Sequence, residues 1–149
     1  MAGLVDSQQQ ELSVDDIVNI AVMNTDDTVM GPNAMAAVNA ELQMPNTLFL
    51  RQGNTLFIIH KAEPGVGWFR AINADTPQNY VNNGREFINA CYKMGFDTMA
   101  TKFTDPTLLS LFRVIAKNPP NEGMGYDVKR TSRGEFFVTV KTGPKRGGK

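Results

Sequence analysis

The chain has 149 residues, of which 42% are hydrophobic and 20% are charged, with 15 Lys and Arg against 15 Asp and Glu. A chain of this length buries enough surface to hold a core without disulfides or a structural metal, and the single cysteine, Cys91, excludes an internal disulfide. Neither a spanning helix of roughly 20 apolar residues nor a secretory signal is recognisable. We therefore expect a protein that is not secreted, has no membrane partner and is not dedicated to coating nucleic acid.

The charges are unevenly distributed along the chain. The first 50 residues contain seven acids and no Lys or Arg, so the remaining 99 carry fifteen bases and eight acids. The acids that occur as adjacent pairs, Asp15-Asp16 and Asp26-Asp27, are candidate interaction residues. The separation of charge favours either docking on another protein or a second copy, or a fold in which the acidic segment lies over the basic remainder.

Hydrophobic spacing predicts two helices near the start of the chain. Ser13 followed by Asp16 is typical of a helix N-terminus, and apolar residues after it predict a helix over 13–23. A second helix is predicted over 33–43, where Ala34, Met35, Val38 and Leu42 recur at helical spacing.

The period of the apolar residues then changes to two. Residues 47–61 are predicted to form a hairpin around Gly53-Asn54, with glycine first as a type II′ turn requires. Pro64-Gly65 makes a second turn, and a third strand with Trp68 and Arg70 follows it. These three strands form a meander.

The second half of the chain predicts helix, strand, helix and hairpin. Thr76 or Asp75 followed by Pro77 opens the clearest helix, which Gly95 closes. The remaining elements are a strand over 97–103, a helix that starts at Asp105-Pro106 and ends before Pro119-Pro120, and paired strands over 126–131 and 135–141.

This order of elements resembles the GNAT (Gcn5-related N-acetyltransferase) fold over about residues 13–142. The family has a helix that begins Asn-x-x-Ala-x-x-Leu-Tyr and then Gly-Phe at the next strand; here Asp105, Leu108, Leu111 and Phe112 occupy the helix positions, and Gly125-Tyr126 stands at Gly-Phe. The resemblance implies a single α+β domain, with a mostly antiparallel sheet of six or seven strands and about four helices. An arm over 1–12 and a basic tail over 143–149 flank it.

The resemblance also implies where acetyl-CoA would bind. The family holds the pyrophosphate on backbone N–H groups of an Arg/Gln-x-x-Gly-x-Gly/Ala loop, which corresponds to residues 78–83 here. If the chain is active, the resemblance implies Gln78, Asn79, Asn83 and Gly84 as the cofactor-binding residues. Both glycine positions of the motif carry side chains, Val81 and Asn83. Pro77 removes an N–H donor, and Asp75 places a negative charge near the expected diphosphate. We therefore expect no bound cofactor.

The groups for acyl transfer are also missing at their family positions. The helix tyrosine that often serves as acid is Phe112, and residues 66–74 contain no acid that could act as base. Tyr126 is the best remaining candidate for the acid. These departures favour a catalytically degenerate protein over the alternative, an active acyl-CoA-dependent N-acyltransferase.

A GNAT-like outline without these groups looks like small proteins of short-tailed bacteriophages, in which such a domain is an internal or minor virion component. This resemblance implies a structural or interaction protein in the virion or the host cytoplasm, with virion proteins or copies of itself as partners. The basic residues of the tail, Lys145, Arg146 and Lys149, could add weak nucleic-acid contacts. A third hypothesis is an adaptor whose acidic first segment imitates nucleic acid.

The only histidine and the only cysteine are both predicted to have structural roles. His60 is the only histidine and has no Cys or His at ligand spacing, so we expect no metal site. Cys91 lies on the apolar stripe of a predicted helix, which favours core packing over a nucleophile.

Overall fold

The computed structural model describes residues 12–23 and 34–144, which form four helices and one six-stranded sheet. The helices are α1 (Val14–Met23), α2 (Ala34–Leu42), α3 (Pro77–Lys93) and α4 (Thr107–Lys117). The strands are β1 (Thr47–Gln52), β2 (Thr55–Glu63), β3 (Val66–Asn73), β4 (Thr98–Phe103), β5 (Gly125–Arg130) and β6 (Phe136–Lys141). This architecture confirms the predicted α+β class.

The strand order in the sheet is β1-β2-β3-β4-β6-β5. All neighbouring strands are antiparallel except β3 and β4, which are parallel and are joined by the crossover through α3. The parallel pairing covers only three residues of each strand, 66–68 and 98–100. Beyond Trp68 and Ala100 the two strands have no further paired residues, so a gap opens in the middle of the sheet.

Local sequence signals explain where the helices and turns begin. The Ser13 hydroxyl accepts the N–H of Asp16 at 3.0 Å, and the Thr76 hydroxyl accepts the N–H of Asn79 at 3.3 Å. Gly53, first in the β1–β2 turn, has φ +56°, which an L side chain rarely adopts. The helix and strand boundaries lie within about two residues of those predicted.

Each face of the sheet packs on a different pair of helices. The face under α1 and α2 forms one core, whose buried residues are Ile17, Val18, Ala21, Val38, Leu56, Ile58 and Ile72. The face under α3 and α4 forms the larger core, whose buried residues include Phe57, Ile59, Phe87, Cys91, Met99, Val138 and Val140. The rings of Phe57 and Phe87 are stacked with centroids 4.0 Å apart, which joins α3 to β2.

The two ends of the described chain also contact the domain. Leu12, expected in the N-terminal arm, packs on the α1/α2 core and donates its N–H to the Asn54 side chain. Gly143 and Pro144, expected in the tail, lie against Tyr92, whose hydroxyl donates to the Pro144 carbonyl at 3.1 Å. Asp26, Asp27, Lys145, Arg146 and Lys149 lie outside the described residues. Among the described helices, each is too short or too polar to cross a bilayer.

Candidate functional site

A cavity of about 160 Å³ lies where β3 and β4 diverge. It is bounded by the two strands and by the facing sides of α3 and α4. Its walls are mainly apolar and aromatic; the residues that line it are Phe57, Phe69, Arg70, Ala71, Tyr80, Gly84, Phe87, Ile88, Thr101, Lys102, Phe103, Leu108, Leu111, Phe112 and Ile115. Such a concave, mainly apolar site with a few polar groups is the usual form of a small-molecule pocket.

The N-terminus of α3 is adjacent to this cavity, since Tyr80 in the first turn lines it. Of the first three helical residues, Pro77 has no N–H and Asn79 donates its N–H to Thr76. Only the N–H of Gln78 has no hydrogen-bond partner among the described residues. Oxygens of a phosphate at this helix end would therefore find a single free amide donor among the first three helical residues.

The predicted cofactor loop over Gln78 to Gly84 is wrong in its conformation, because these residues are helical. Gln78 and Asn79 are exposed in the first turn of α3, whereas Gly84 lies two turns into the helix. A Cβ on Gly84 would lie 3.0 Å from Ile115 Cδ1, so this glycine allows α3 and α4 to approach closely. The four residues therefore do not form a single phosphate cradle.

The carboxylate of Asp75, which was expected near a diphosphate, is directed at the β1–β2 turn. Its Oδ2 accepts the N–H of Asn54 at 2.8 Å and the side-chain amide of Asn83 at 2.7 Å. The Asn83 amide also donates to the Thr55 hydroxyl, which in turn donates to Asn73 Oδ1. Asp75 and Asn83 thus have a structural role that ties the β1–β2 turn to the start of α3.

The position of Tyr126 does not suit the role of an acid in the cavity. Its ring, on β5, lies beside Phe112, with the two centroids 6.0 Å apart, and Phe112 rather than Tyr126 lines the cavity. Tyr80 does line the cavity, and burial raises the pKa of its phenol to about 12. Tyr80 was not among the predicted site residues, although its position one turn after the Thr76 cap could have indicated it.

A second polar cluster lies on the α1/α2 side of the sheet and was not predicted. Glu41 on α2 accepts hydrogen bonds from Arg70 on β3, the shortest at 2.6 Å, and contacts His60 Nε2 on β2 at 2.6 Å. Thr47 Oγ1 lies 3.1 Å from His60 Nδ1. Burial raises the pKa of Glu41, but hydrogen bonds and charges from Arg70 and His60 outweigh burial and lower it overall.

The acidic pair Asp15-Asp16 is exposed in the first turn of α1, where its negative charges interact favourably with the positive end of the helix dipole. Over residues 12–23 and 34–144, no group of three or more His, Cys, Asp or Glu side chains is placed to hold a metal ion.

Comparison with known proteins gives the fold of the chain. Neither a family model nor a curated protein sequence matches it. The structure is similar to that of an aminoglycoside 6'-acetyltransferase type Ii, with a TM-score of 0.62 and 9% identity over 91% of this chain and 97% of that one. It is also similar to the ribosomal-protein-S18-alanine N-acetyltransferase from Escherichia coli, with a TM-score of 0.54 and 11% identity over 94% and 96% of the two chains. At these identities the likeness establishes the fold alone, and the chain has a GNAT-like fold.

Proposed function

We propose that this chain is a GNAT-fold protein that does not transfer acyl groups and acts through protein contacts, as a component of a bacteriophage particle. The observation that carries the first part is the start of α3, where only Gln78 among the first three helical residues has a free N–H for a diphosphate. A helix N-terminus binds phosphate well when several N–H groups converge on it without intervening side chains. The exposed side chains of Gln78 and Asn79 stand where such an approach would be made.

The reacting groups support the same proposal. Acyl transfer to an amine needs a base for the ammonium and an acid for the departing thiolate. Phe112 lines the cavity without a hydroxyl, and the described residues that line it include no Asp or Glu. The bacteriophage part of the proposal rests on the resemblance of this reduced outline to virion proteins of short-tailed bacteriophages.

The cavity between β3 and β4 favours a second candidate, an active acyl-CoA-dependent N-acyltransferase. Both similar structures are acetyltransferases by name, and the apolar cavity could accept an acyl chain. In this case Tyr80 would be a better-placed acid than Tyr126, because its side chain lines the cavity and that of Tyr126 does not.

Isothermal titration with acetyl-CoA separates the two candidates. We expect no heat of binding up to millimolar ligand. The proposal would be contradicted if acetyl-CoA bound at submillimolar concentration and coenzyme A fragments that lack the diphosphate did not. In that case Tyr80→Phe should abolish acetyl transfer while Tyr126→Phe, the matched control, retains it.

The particle association has its own test. The tagged chain, expressed in the native host during infection, should co-purify with assembled particles and keep a fixed stoichiometry to a major virion protein by mass spectrometry. Recovery only in the particle-free fraction would contradict a virion role, whatever the result with acetyl-CoA.

A further inference from the structure

The half of the sheet formed by β4, β6 and β5 carries exposed side chains on the face that α1 and α2 cover elsewhere. The register places Lys102, Phe137 and Lys129 side by side across these strands. Both lysines are exposed and Phe137 is half-buried. Trp68, from β3, lies on the same face because it pairs with Ala100, two residues before Lys102. We call Trp68, Lys102, Lys129, Phe137 and Lys141 the Trp68 surface.

The aromatic part of this surface is a contiguous pair of rings. Trp68, the only tryptophan, is 40% exposed, and its ring centroid lies 5.4 Å from that of Phe137. Between them β4 contributes Ala100, a small side chain that leaves room for the indole to lie across the strand. The two rings are inclined to each other by 35°, and the exposed indole beside the half-buried Phe137 ring offers aromatic surface on which a base could stack.

The charged part of the surface is mainly positive. Lys102, Lys129 and Lys141 project from three adjacent strands on this face, against one acid at an equivalent position, Asp127. Glu135 approaches Lys102 only at 3.9 Å, with both side chains substantially exposed, so this pair is weak. Arg70, on the same face of β3, is already committed to Glu41.

We propose that the Trp68 surface binds single-stranded nucleic acid. Unpaired bases would stack on Trp68 and Phe137 while the lysines on both sides contact phosphates. A duplex would not fit this scheme, because its bases are already stacked and their faces are inaccessible. An acidic peptide would use the lysines but would leave the two rings without a stacking partner. The site contains few groups that could read base edges, so sequence preference should be weak.

The intrinsic fluorescence of the protein reports on this site directly, because Trp68 is its only tryptophan. Titration with a 12-nucleotide oligo(dT) at low salt should quench the emission to saturation, with a Kd on the order of 10 µM. Three phosphate contacts predict a slope of about −2 for log K against log salt. A 12-base-pair duplex should bind at least about fivefold more weakly.

Variants locate the binding on the surface by anisotropy of a labelled oligonucleotide. Trp68→Ala should weaken binding at least about fivefold, Trp68→Phe should restore most of it, and Lys129→Ala should reduce the salt slope by about 0.7. Lys93→Ala and Lys117→Ala, exposed lysines on α3 and α4 beyond the other face, are the matched controls and should bind normally. A chain ending at Pro144 should keep the fluorescence quenching, which separates this surface from the basic tail.

Three results would overturn the proposal. One is the absence of quenching and anisotropy change at 100-fold above the expected Kd. Another is undiminished binding by a Trp68→Ala variant whose circular dichroism is unchanged. The third is equal affinity for poly-glutamate of matched charge, which would assign the surface to an acidic protein partner instead.

Discussion

Arg70 on β3 donates two hydrogen bonds to one carboxylate oxygen of Glu41, near the end of α2, from Nε at 2.9 Å and from Nη2 at 2.6 Å. The other carboxylate oxygen lies 2.6 Å from His60 Nε2. Glu41 is only 17% exposed, whereas Arg70 and His60 are more than a third exposed. This cluster fixes the end of α2 to strands β2 and β3. A helix of nine residues makes few apolar contacts by itself, so the polar cluster adds to its attachment.

Glu41→Gln should lower the free energy of unfolding by about 1 kcal/mol, because a hydrogen-bonded charge is lost at a site that is only partly desolvated. Urea denaturation monitored by Trp68 fluorescence measures the change. Glu63→Gln, at the exposed end of β2, is the matched control and should change stability by less than about 0.5 kcal/mol. Equal effects of the two variants would show that the cluster contributes nothing specific.

The contribution of Glu41 should depend on pH in a defined direction. Its pKa in the folded chain is lowered from 4.5, so its stabilising effect is present above that pH and disappears as the pH falls through the lower folded value. The difference in unfolding free energy between the natural chain and Glu41→Gln should therefore be full at pH 5.5 and shrink toward pH 3. A difference that stays constant over this range would contradict the assigned shift.

Gly84→Ala should stabilise the chain by up to about 1 kcal/mol, since alanine is the better helix former and the atom it meets, Ile115 Cδ1, can move into the adjoining cavity. Gly67→Ala is the contrasting variant, because its Cβ would meet three side chains of the packed core, Ile59 at 3.0 Å and Met99 and Phe96 at 3.2 Å. Thermal unfolding should rank Gly84→Ala above the natural chain and Gly67→Ala below it. The reverse order would mean that the cavity cannot accept the displaced methyl group.

Cys91 should resist thiol reagents in the folded protein. Burial raises its pKa to about 12, and its side chain is fully buried on α3. At pH 8 only about one thiol in 10⁴ would be ionised, so labelling should be at least about 100-fold slower than in denaturing urea. Ser132→Cys in the exposed β5–β6 turn provides the reference rate for an accessible thiol. Similar rates at both positions would show that α3 opens readily.

Caps and turns were the most predictable features, because each depends on a few adjacent residues. Thr76-Pro77 indicated the start of α3, and Gly53 indicated a turn that needs positive φ. The error over Gln78 to Gly84 arose when the family resemblance was given more weight than this local signal. A helix that begins at Pro77 with Thr76 as its cap leaves no loop in that segment.

The polar clusters could not be predicted from local patterns. Glu41, His60 and Arg70 come from three elements, and their meeting depends on how α2 lies over the sheet. Tyr80 and Phe112 both line the cavity, and its position could not be predicted because it depends on where β3 and β4 separate. The fold followed from element order, whereas these sites follow from tertiary geometry.

The three-residue pairing between β3 and β4 divides the sheet into two antiparallel blocks, β1-β2-β3 and β4-β6-β5. Each block holds its own ladder of backbone hydrogen bonds. The short β3–β4 pairing, the hydrogen bonds from the N–H groups of Asp97 and Thr98 to the Gly65 carbonyl, and the shared core under α3 join the two blocks. The blocks are therefore natural units of amide hydrogen exchange, protected to different extents. A small rotation of one against the other would widen the central gap without breaking either ladder.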